Sequence, residues 1–92
     1  MNSTPTPLAL VRQTSSALQA ELNDQDFDVF GATSHSFVVR ALPSNIPVAL
    51  MTLGDDGKWD KCVLNKKSYR KTLLMLEIFE RIVLCYTRRR KL

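Results

Sequence analysis

Residues 46–64 read IPVALMTLGDDGKWDKCVL, two apolar runs on either side of a glycine- and aspartate-rich tetrapeptide. Ile46 to Leu53 is an apolar run of strand length, and Lys58 to Leu64 is another, with Trp59 and Val63 on one side. Between them, Gly54-Asp55-Asp56-Gly57 is turn chemistry: glycine accepts the positive φ of a tight turn, and aspartate bonds nearby backbone. Together the two runs predict an antiparallel hairpin. Pro47 cannot donate to a ladder, which places it at the beginning of its strand or on a sheet edge.

Toward the N-terminus, Phe37 to Leu42 is a β-branched and aromatic strand closed by Pro43-Ser44-Asn45. A turn at Ser34-His35-Ser36 separates it from an earlier strand, in which Phe27, Val29 and Gly31 alternate with Asp28 and Phe30. Thr6-Pro7 is a helix start, since threonine caps free amides and proline fits the first turn without loss of a bond. Leu8, Val11, Leu18 and Leu22, with Ser15, then share one helical face to about Asn23.

Beyond the hairpin, Leu73 to Leu76, Ile78, Phe79 and Ile82 to Tyr86 occupy most of a helix's circumference. The thin polar stripe left over holds Arg70, Glu77, Arg81 and Arg88, with Glu77 preceding Arg81 by the favourable four residues. Glu77, Glu80 and Arg81 at its middle exclude a membrane span. A helix this apolar must be covered on more than one side. The expected fold is therefore α+β in the order α-β-β-β-β-α: an N-terminal helix, a four-stranded antiparallel sheet, and a long apolar C-terminal helix packed on it. A sheet covers one side of that helix, so the first helix or a second copy covers the rest. A homodimer through Leu74, Ile78, Ile82 and Cys85 is the expectation.

Ninety-two residues suffice for one compact core, so a single domain is expected over 1–92, with 1–5 and 88–92 as flexible ends. Cys62 and Cys85 are too few for a disulfide framework and read as buried thiols; with His35 the sole histidine, neither a metal nor another cofactor is expected. Met1 to Pro7 lacks the basic and apolar regions of a secretory signal, which points to an intracellular setting, cytoplasmic or, in a eukaryotic or viral context, nuclear.

No catalytic constellation can be drawn. Ser68 and Lys71 have the SxxK spacing of penicillin-recognising enzymes without its companion motifs, so Ser68 reads as a helix cap. Gly54-x-x-Gly57 has the spacing of a phosphate-clamping GxxG loop, but Asp55 and Asp56 repel phosphate, and the hairpin reading prevails. His35 lies in a loop with no acid or thiol at a matching spacing, so no turnover is expected from it.

Charge is informative. Two basic residues oppose six acidic ones before Lys58, and eleven oppose three from Lys58 onward, which predicts an electrically polarised molecule. Lys66, Lys67, Arg70 and Lys71 crowd the opening of the last helix, where the helix dipole favours acids. Cations and free amides together suit phosphate at that position. Arg88, Arg89, Arg90 and Lys91 complement the dipole at the other end and also suit nucleic acid.

A helix, antiparallel strands, and a helix opening with Lys66, Lys67 and Lys71 resemble the double-stranded-RNA-binding domain. That resemblance implies phosphate contacts from these lysines across a groove. The chain departs from the family in having a fourth strand, no glycine before the lysine pair, and Leu, Met and Ile where small alanines are usual. The reading is thus a non-enzymatic, self-associating binding protein whose basic C-terminal half contacts an acidic partner, nucleic acid. Trp59 and Tyr69 are the candidates for base stacking. The competing class is a protein interaction module, an adaptor, small chaperone or inhibitor, that uses the apolar last helix. Neither a membrane nor a small-molecule substrate is expected.

Overall fold

The computed structural model describes residues 6–66 and 69–91. The elements are α1 (Pro7–Leu22), β1 (Phe27–Phe30), β2 (Ser36–Ala41), β3 (Ile46–Leu53), β4 (Trp59–Val63) and α2 (Tyr69–Lys91), the expected α-β-β-β-β-α layout. Each strand pairs antiparallel with the next, in the order β1-β2-β3-β4.

Local chemistry explains the boundaries. Thr6 is extended, and its Oγ1 accepts the Ala9 N–H at 3.2 Å, with Pro7 in the first turn. The buried face of α1 is Val11, Thr14, Ser15, Leu18 and Leu22; Leu8, at the margin of that face, is exposed. Gly31, at φ 65°, turns the chain out of the extended region and ends β1 at Phe30. Ser36 belongs to β2 rather than to the turn before it, because Thr33 Oγ1 accepts the N–H groups of His35 and Ser36 at 3.2 and 3.0 Å and tightens that turn. The β3–β4 turn closes with Gly54 N–H donating to the Lys58 carbonyl at 2.8 Å, Lys58 N–H donating to Asp56 Oδ1 at 3.0 Å, and Gly57 at φ 81°.

Pro47 is the second residue of β3, and β3 is an interior strand. A bulge accommodates it. Val39 lies opposite Ala49, but Arg40 lies opposite Pro47, which leaves Val48 as the extra residue. Val48 and Ala49 are consequently both buried, and the strand's alternation changes phase there.

The core lies between the sheet and the two helices. Phe27, Phe37, Val39, Ala49, Met51 and Leu53 face Val11, Leu18 and Leu22 of α1 and Met75 and Phe79 of α2. Phe37, Trp59 and Phe79 form a triad of edge-to-face rings with centroids 5.4–5.9 Å apart. The two helices run antiparallel, since Glu21 and Gln25 share a groove with Ile78, Ile82 and Cys85, while the Tyr86 hydroxyl reaches the Gln13 carbonyl at 3.5 Å. The first helix thus supplies cover that the sheet alone could not.

One expectation is corrected. Cys62 and Cys85 are exposed rather than buried, because Cys62 projects from the outer face of β4 and Cys85 lies on the side of α2 turned from the sheet. Acidic residues stand at both ends of the sheet. The acidic turn at Asp24 and Asp26 adjoins the end of the sheet where Phe27, Ala41 and Ile46 align, and Asp55 and Asp56 adjoin the other, by Leu53 and Trp59. The helix α2 starts at the first end and reaches the second, so each end combines acids with bases.

Candidate nucleic-acid interface

Three of the four cations at the opening of α2 are described. Lys66 lies in the connection from β4; Arg70 and Lys71 lie in the first turn, and all three are exposed. No acid shares that turn. The ion pairs among the described residues are Asp28–Arg40 and Glu80–Lys61, so none engages Lys66, Arg70 or Lys71. Lys67 and Ser68 lie outside the described residues, as do the side chains of Tyr69, Arg88, Arg89, Arg90 and Lys91. The backbone of α2 is helical to Lys91.

At about 100° and 1.5 Å per residue, Arg70 and Arg81 share one stripe of α2, about 16 Å apart along the axis. Arg81 is exposed on it, as is Glu77. Sequence reading placed Arg81 in the polar stripe but not among the phosphate contacts. The signal that links it to Arg70 is the eleven-residue spacing, close to three helical turns.

Trp59 cannot stack on a base while it serves the core, because its ring packs edge-to-face on both Phe37 and Phe79. His35 is exposed, and its Nδ1 contacts Ser34 Oγ at 2.8 Å. Among the described residues no group of three or more His, Cys, Asp or Glu could hold a metal ion. Among the described residues no helix is long and apolar enough to cross a membrane.

The residues assigned to a dimer interface divide. Leu74 and Cys85 are exposed, whereas Ile78 and Ile82 are half-buried against the core on the α1 side. On the opposite flank, above β4, Leu73 and Leu84 are 41% and 50% exposed, a pair that sequence reading did not separate from the buried side. Among the described residues the sheet's outer face carries no helix and holds one cross-strand row, Phe30, Val38, Leu50 and Cys62, beside the Asp28–Arg40 pair.

Compared with models of known families, with curated proteins and with solved structures, the chain matches none.

Proposed function

We propose that the chain is a non-enzymatic, self-associating binding protein whose basic α2 contacts an acidic partner, nucleic acid. The observation that carries this reading is the trio Lys66, Arg70 and Lys71, exposed and outside any ion pair among the described residues, at a helix start with no acid in its first turn. Local stability alone favours the reverse, since the dipole disfavours cations there by about 0.3–1 kcal/mol each. Phosphate oxygens would meet both these side chains and the positive end of the helix dipole.

Duplex and single-stranded RNA and DNA, titrated by fluorescence anisotropy, test the reading. Binding is expected at tens of micromolar or tighter in roughly 100 mM salt. Replacing Lys66, Arg70 and Lys71 together by glutamine should weaken it and flatten the log–log salt dependence by about one unit per lost phosphate contact. Absence of binding to all four probes would favour a second reading, a protein interaction module. The Phe30-Val38-Leu50-Cys62 row on the helix-free sheet face supports that alternative.

A further inference from the structure

The two edges of the sheet are treated differently. At β1, the outward N–H of Val29 donates to Gln19 Oε1 of α1 at 2.8 Å, so a side chain of the same chain occupies that edge. At β4, Leu64 N–H donates to Val48 and the Lys58 carbonyl accepts from Gly54. By alternation, the N–H and C=O groups of Trp59, Lys61 and Val63 point away from the sheet, with no strand beyond them among the described residues. Above this edge α2 forms a groove lined by Lys61, Leu73, Leu76, Glu77, Glu80 and Arg81, with Leu84 exposed farther along.

We propose that a second copy of this chain occupies that edge, with β4 pairing antiparallel to its counterpart about a two-fold axis at Lys61. This names the surface for the self-association proposed above and rests on that part of the reading. Trp59 would face the partner's Val63, and every outward N–H and C=O of the three residues would find a partner.

The helices fit the same axis. Pairing of β4 with its counterpart would bring the β4-side flanks of the two α2 helices toward one another. Leu73 with Leu84, and Glu77 with Arg81, both straddle the position of Phe79. Across a two-fold axis at that level, Leu73 meets the partner's Leu84, and Glu77 meets the partner's Arg81. The flank is therefore complementary to itself in both apolar surface and charge. Lys61, the cation that meets its own copy on the axis, is already paired with Glu80, so like charge does not close the edge.

Light scattering on the full chain at micromolar concentration should give twice 10.4 kDa. Leu73→Glu with Leu84→Glu changes only exposed positions and should yield a monomer with an unchanged circular dichroism spectrum. Lys61→Pro removes an N–H that makes no bond to β3 and should do the same. Glu77→Arg or Arg81→Glu alone should raise the dimer Kd several-fold, and the two together should restore it. Leu74→Glu, on the other flank, should leave the dimer intact. A monomer throughout would overturn both this surface and self-association. A dimer that survives Leu73→Glu with Leu84→Glu, or is lost on Leu74→Glu, would overturn this surface and leave self-association standing.

Discussion

Gln19 of α1 accepts the Val29 N–H of β1 at 2.8 Å, a bond from helix side chain to strand edge across ten residues of chain. Replacing Gln19 with leucine leaves a part-buried N–H unpaired. Chemical denaturation should show a loss of about 1–2 kcal/mol. The freed edge should also add species larger than a dimer in light scattering, since an open strand edge templates further pairing.

Thr72 is fully buried, and its Oγ1 has no hydrogen-bond partner among the described residues. Valine has the same shape without the hydroxyl. Thr72→Val is expected to stabilise the fold by about 1 kcal/mol, read as a higher urea midpoint at constant slope.

Phe79 holds the aromatic triad together, touching both Phe37 and Trp59. Truncation to alanine should cost about 3–5 kcal/mol, the range for a buried phenylalanine. Trp59 is the only tryptophan, so its emission should shift to longer wavelength as water reaches the ring.

Arg40 bonds Asp28 Oδ2 through Nε and Nη2, at 2.8 and 2.6 Å, while its guanidinium lies 4.6 Å from the centre of the Phe30 ring. Both charged side chains are about one-third exposed, which limits the pair's contribution to about 1 kcal/mol or less. Arg40→Lys should nevertheless lose more than Asp28→Asn, because lysine gives up the planar stacking as well as the two-pronged donation. Paired urea melts of the two variants check the order.

The elements were legible in the sequence because their signals are local. Thr6-Pro7 marked the start of α1, Gly54 to Gly57 marked the turn, and Ile46 to Leu53 marked β3 to the residue. What covers a face was not local. Periodicity grouped Leu74, Ile78, Ile82 and Cys85, but α1 comes against the isoleucines and leaves the other two in solvent, which only the antiparallel approach of the helices determines. The bulge at Val48 escaped for the same reason, since the extra residue exists only relative to the register of β2. At the candidate phosphate site the cations could be read directly, and Arg81 was legible as a member of the polar stripe, although the reading did not join it to the phosphate contacts.

Each strand pairs with its neighbour in sequence, so the whole sheet can form from local contacts before α2 docks. During that interval Phe37, Met51 and Trp59 lack the cover that Phe79 and Met75 later provide. A sheet formed before α2 docks would thus leave an aromatic surface bare, and the rate of that docking would set how long a chaperone would have to shield it.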